Sequence, residues 1–200
     1  MTATTRHPRQ DRTPPRRAVR PRGLLLLCLA AVLLAGCALL DRVPGAGDRD
    51  ATSMTGSSLS IPAIGVDARI TAVGLRADGA MQVPDPDTVG WYERGPRPGE
   101  RGPAVLVGHV DSRTGPAVFH RLRELRRGDR IVVRSDDGGS SSSTFVVRRV
   151  ERHPKTALPT ERIWPDTSRR LLRLITCGGS FDRAARSYRD NVIVYAALAG

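Results

Sequence analysis

Apolar residues along this chain fall into short runs set apart by Gly, Pro and Asp, and most runs have the length and period of strands. Residues 59–61 (LSI) stop at Pro62, and residues 68–73 (ARITAV) alternate small or apolar side chains with polar ones. Residues 104–109 (AVLVGH) are apolar up to His109, the pattern of a strand buried on both faces. Residues 130–134 (RIVVR) and 144–150 (TFVVRRV) follow, joined through Asp136, Asp137, Gly138, Gly139 and a serine run that reads as a solvated hairpin tip. Residues 171–176 (LLRLIT) and 191–197 (NVIVYAA) complete the series. Seven or eight short strands of this kind predict an all-β fold, either a barrel or a sandwich. One helix is expected between Pro116 and Asp129, where Phe119, Leu122 and Leu125 recur at a helical spacing and Gly128 closes the segment.

The first 58 residues follow other rules. Residues 1–22 are an Arg-rich tail, and residues 23–40 (GLLLLCLAAVLLAGCALL) carry no charge. An apolar run behind a basic cluster inserts into a bilayer with the basic side retained in the cytoplasm, so the remainder of the chain is expected outside it. The run suits an uncleaved anchor at the short end of the spanning length. Leu34, Ala35, Gly36 and Cys37 also resemble a lipobox, in which Cys37 would be lipidated after cleavage. Residues 41–58 are polar, rich in Gly, Ser and Thr, and read as a flexible tether. Residues 59–200 are expected to form one folded domain.

Charge changes this picture little. The formal net charge is +12, but residues 1–40 hold seven Arg against one acid, and the rest is only mildly basic. No basic run interleaves with aromatic residues, so a nucleic-acid surface is not expected. Only 4% of residues are aromatic, which leaves Val, Leu, Ile and Ala to fill the core. Cys28 and Cys37 lie in the apolar run, and Cys177 stands alone in the folded part, which excludes a disulfide framework there. Asp85 and Asp87 are not joined by further carboxylates at metal spacing, so neither a metal nor another cofactor is expected.

Cys177 ends an apolar strand run and is followed by Gly178 and Gly179, which allow backbone to approach the thiol closely. His109 holds the matching place after residues 104–108, ahead of Val110, Asp111 and Ser112. If both strands end at one rim of one sheet, thiol and imidazole converge in a Cys–His arrangement. Taken singly, each residue has a plainer reading: Cys177 as a small buried hydrophobe, His109 as a hydrogen-bonded structural residue. His120, on the expected helix, and His153, in a loop before Pro154, compete for the role of base and are both expected to be exposed.

Leu172, Leu174, Thr176 and Cys177 (LRLITC) resemble the T-L-x-T-C signature of the sortases, with Arg173 where that family usually has Thr. Gly108-His109-Val110-Asp111 is similar to the sortase histidine motif. Phe181-Asp182 and the run Tyr188-Arg189-Asp190-Asn191-Val192-Ile193-Val194 are similar to actinobacterial sortases of the class lettered F, with class E as the alternative. Gly90-Trp91-Tyr92 and the stretch from Gly115 fit the same class. The resemblance implies a closed eight-stranded β-barrel with one or two short helices and a Cys–His–Arg site formed by Cys177, His109 and Arg189, with Arg186 as the alternative arginine. It further implies a membrane-held cysteine transpeptidase that cleaves LPxTG-like sorting signals between Thr and Gly. The acyl group would pass to an amine of a peptidoglycan precursor. In that family the segment 153–168, here with Leu158, Ile163 and Trp164, helps wall the peptide groove. A hydrolytic cysteine peptidase and a non-catalytic, membrane-anchored peptide-binding protein are the competing readings.

Overall fold

The computed structural model describes residue 54 and residues 56–136 and 141–200, so the Arg-rich tail, the apolar run and nearly all of the expected tether lie outside it. Its strands are β1 (Ser58–Ile61), β2 (Val66–Val73), β3 (Val89–Tyr92), β4 (Gly102–Val107), β5 (Asp111–Ser112), β6 (Gly115–Pro116), β7 (Arg130–Ser135), β8 (Ser141–Pro154), β9 (Arg170–Asp182) and β10 (Ser187–Leu198). Eight of them close into a barrel in the order β1-β2-β3-β4-β9-β10-β8-β7, and β5 and β6 form a separate two-stranded ribbon. The pairs β2–β3 and β4–β9 are parallel, and the other neighbouring pairs are antiparallel. Closure leaves no unpaired sheet edge, which resolves the choice between barrel and sandwich.

Strand alternation sorts the side chains into two apolar layers. Leu59, Ile70, Trp91, Leu106, Phe145, Leu172 and Val194 belong to the larger cluster, which fills the barrel interior. On the outer face, Val73, Val105, Val107, Ile193 and Tyr195 form a second cluster. It is covered by Ile163 of the one-turn helix α1 (Thr160–Ile163), in the connection between β8 and β9. Strand β4 contributes to both layers, and each of its residues is buried. That double burial is why its sequence shows a continuous apolar run.

Three expectations need correction. The segment from Pro116 to Asp129 is no helix beyond a single 3-10 turn, Leu122–Glu124. Phe119, Leu122 and Leu125 are buried as their spacing required, but successive turns, rather than one helix, carry them inward. Met54 and Ser57 are buried and joined by the bond from Ser57 N–H to Met54 O, so the packed unit takes in the end of the stretch read as tether. Finally, β8, β9 and β10 extend well past their apolar stretches, because the serine end of β8 pairs with β7 and the other polar ends pair with or along β10.

Candidate active site

Register sets Cys177 and His109 at the same level of neighbouring strands. Strands β4 and β9 pair in parallel up to Val107 and Ile175. One step further, Gly108 N–H donates to Ile175 O at 3.2 Å, and Thr176 Oγ1 donates to Gly108 O at 2.7 Å. Continuing the same register sets His109 level with Cys177. Alternation puts them on one face: Leu106, Leu172 and Leu174 point into the barrel, whereas Val107 and Ile175 pack in the outer layer, two residues before His109 and Cys177. On the other side of Cys177, Asn191 of β10 is its cross-strand partner, and His153 of β8 is the partner of Asn191.

Arg189 lies two residues before Asn191, at the irregularity where β10 shifts register between Tyr188 and Asp190. Its side chain is exposed, and Nη2 donates to Asp182 Oδ2 at 3.1 Å. Asp182 also accepts the N–H groups of Ala184 and Ala185 in the hairpin turn, at 3.0 and 3.1 Å. These bonds, the turn N–H of Ala185 foremost and then Arg189, hold the Asp182 carboxyl below its ordinary range. Arg186 is exposed in the turn itself, with a φ of 50°. Arg189 is thus the arginine on the strand beside the thiol, held toward the hairpin by Asp182.

The half-buried Cys177 opens onto a cleft of about 440 Å³ at one end of the barrel. Asp111 and Tyr188 line the cleft and are hydrogen-bonded to each other, the phenol donating to the carboxylate across 77 residues of sequence. Phe181 packs edge-on against the Tyr188 ring, with centroids 5.1 Å apart. The bond to Asp111, then burial, then the Asp111 charge and the nearness of Cys177 push the Tyr188 phenol up. Gly179 adopts a φ of +74°, and a Cβ there would stand 2.7 Å from Asp190 Cγ, so only glycine suits this step beside the thiol.

His120, expected on a helix and exposed, is half-buried and lines this cleft, with Nδ1 3.1 Å from Val110 O. The helical reading of its segment concealed it. His153 is half-buried too, with Nε2 2.8 Å from Glu151 Oε2. His109 and Arg189 border the thiol by strand position, but neither lines the cleft. A larger cleft of about 890 Å³, bordered by Asp67, Asp85 and Asp87, shares His120 with the first but does not reach Cys177. Size therefore does not identify the site; the thiol does. The Asp111–Tyr188 contact is the feature that sequence reasoning missed, and nothing in either motif signals its partner.

A closed barrel whose parallel register sets a histidine level with a cysteine at one rim is compatible with a cysteine-dependent acyl-transfer enzyme. Comparison with known proteins makes this specific. The family model described as "Sortase domain" matches residues 59–199. The chain belongs to the sortase family and is a cysteine transpeptidase. Similar solved structures include a lid mutant of sortase A from Corynebacterium diphtheriae (20% identity, TM-score 0.56, covering 72% of this chain and 69% of that one). A sortase D5 transpeptidase from Clostridium perfringens is also similar (22%, 0.53, 72% and 78%). So is sortase C1 from Streptococcus agalactiae (17%, 0.56, 72% and 67%). At these identities the structures speak for the barrel fold. Among curated proteins nothing matches.

Proposed function

We propose that Cys177 is the nucleophile, His109 the proton carrier and Arg189 the cation of a sortase acting on an LPxTG-like sorting signal. The single observation that supports this most is the parallel β4–β9 register, which brings His109 level with Cys177 on one face. The Cys177 thiolate attacks the carbonyl between Thr and Gly, forming a thioacyl enzyme as the glycine amine leaves. His109 gives its proton to that amine and then takes one from the incoming amine of a cell-wall precursor. An arginine stays charged throughout, so Arg189 is no base. Freed from Asp182, it holds the peptide backbone or the developing oxyanion.

Within the family the reading is class F-like, on the motifs around His109, Cys177 and Arg189. Residues 23–40, charge-free behind seven arginines, hold the enzyme at the outer face of the cell membrane as a single anchor or through a lipid on Cys37. Carbonate washing of membranes tests this: release of the chain into the supernatant would refute either anchor.

The activity is tested on the full-length chain in detergent with a fluorogenic LPxTG peptide, with and without added amine, beside Cys177→Ala. Ligated product that needs the amine and vanishes in the variant is expected. Cleavage indifferent to amine would point to a hydrolase instead. No turnover of LPxTG or related LAxTG peptides, with an unreactive thiol, would overturn the assignment.

A further inference from the structure

Arg173 is a buried cation that makes no ion pair among the described residues, the Glu151 carboxylate of its cluster being taken by Arg149, His153 and Arg162. It lies on β9 four residues before Cys177, on the same outer face, with only 5% of its surface exposed. Both of its hydrogen bonds go to backbone carbonyls, Nε to Arg162 O at 3.2 Å and Nη1 to Leu172 O at 3.0 Å. Burial, reinforced by Arg149 and Arg169, lowers its pKa to about 10 against the opposing pull of Tyr195. A buried guanidinium with no ion pair of its own is costly for the fold, and an apolar side chain of similar volume would serve packing at least as well. Its presence calls for another account.

The contacts supply one. Tyr195 is the cross-strand partner of Arg173 on β9 and of Arg149 on β8. Its ring is stacked by both guanidinium groups, whose carbons lie 4.8 and 4.3 Å from the ring centre. The Tyr195 hydroxyl is buried without a partner, so the ring is held by stacking and packing. Arg173 is therefore fixed in direction, with its Nε aimed at the end of α1. The carbonyl of Arg162 lies in the last turn of that four-residue helix and has no intrahelical partner. The side chain of Arg162 reaches Glu151 Oε1 at 3.3 Å, so the same residue is held from two sides. Ile163, next in the chain, is 1% exposed and lies over Val105, Val107 and Ile193, the floor that leads to Cys177.

We infer that Arg173 pins the connection between β8 and β9 onto the outer face of the barrel, four residues along β9 from Cys177, and that the placement of this connection governs how tightly a sorting signal is held. Its effect on substrate rests on the function proposed above. Arg173 is a positioning residue: it acts through the Arg162 carbonyl and touches no reacting atom.

Arg173→Met keeps the length and apolar volume and removes charge and donors. In the full-length chain, thermal unfolding is expected to stay or rise, while trypsin cuts after Lys155 and Arg162 on the order of ten-fold faster. KM for the sorting peptide is expected to rise on the order of ten-fold, with kcat within about two-fold. Arg173→Lys, which keeps the charge but not the planar fork, falls between. Unchanged cutting, or a KM like the wild type despite faster cutting, would overturn the inference. So would lower stability with kcat and KM damaged alike, the mark of a merely structural residue. If the wild type turns over no sorting peptide while cutting accelerates as expected, the substrate reading falls and the pin itself stands.

Discussion

Replacing Thr176 by Val removes one hydrogen bond from the structure and little else. Thr176 is 4% exposed, and its hydroxyl donates to Gly108 O at 2.7 Å. Valine preserves the β-branched shape that a strand favours, so the packing of the site is nearly kept. What is lost is the net value of a buried bond together with the cost of a buried carbonyl left unsatisfied at Gly108, about 2 kcal/mol in all. For a domain of this size that is a fall in Tm of about 4–8 °C. Activity should suffer more than stability, because Gly108 immediately precedes His109 and its carbonyl is the last tie between the two strands before the site. A displacement on the order of 1 Å between imidazole and thiol lowers kcat/KM by about a hundred-fold. Thr176→Ser keeps the hydroxyl and should retain most activity while losing about 1 kcal/mol of packing. The assay pairs thermal unfolding and peptide turnover with the rate of Cys177 alkylation, which checks that the thiol itself is still presented. Wild-type turnover in the valine variant, or equal loss of activity in the serine variant, would refute the argument.

Three further outcomes are expected. Tyr188→Phe keeps the edge contact with Phe181 but breaks the bond to Asp111, and kcat should fall on the order of ten-fold with KM little changed; Asp111→Asn, which can still accept the bond, should be milder and should bring the phenolate titration back toward its ordinary range, and an unmoved titration would contradict the contact. Glu151 is opposed in its ionisation by burial but held below its usual 4.5 overall by His153, Arg149 and Arg162. A depressed carboxylate contributes stability above its unfolded value that is lost as pH falls through the lower folded one; Glu151→Gln should therefore cost about 1 kcal/mol near neutrality and flatten the acid limb of the stability curve, as read by urea unfolding across pH. Gly179→Ala forces a β-carbon against the Asp190 carboxyl at φ +74° and should cost about 1–3 kcal/mol while slowing Cys177 alkylation; wild-type stability there would show that the turn relaxes freely.

The strands that alternate or run apolar were legible because burial dictates their composition. Strand β4, buried on both faces, is the plainest case. Strand β3 was not read as a strand: it is four residues long and contains Gly90, where a Cβ would lie 2.8 Å from Val73 Cγ1 and 3.0 Å from Pro84 Cδ. Glycine there answers to close packing, and it hides the period that a longer strand would show. Phe119, Leu122 and Leu125 are buried, but their spacing suits consecutive tight turns as well as a helix, and only the tertiary contacts choose. Cys177 and His109 each end an apolar strand at a motif, which is why the sequence suggests pairing them. The positions of Arg189, His120 and Tyr188 depend on a bulge, a turn and a contact across 77 residues, which no local pattern encodes.

The placement of β9 has a consequence for how the enzyme comes into being. This strand sits between β4 and β10, and its parallel partner β4 precedes it by more than sixty residues of chain, as the tie from Thr176 to Gly108 shows. Contacts of such separation form late, after the entropy of closing a long loop has been met. The strand that carries the thiol is thus the keystone: closing the wall of the barrel through it also sets Cys177 level with His109. An incomplete or partly folded chain has an open sheet. The alignment of the two strands arrives with the finished fold, and a chain that loses its closure loses that alignment with it.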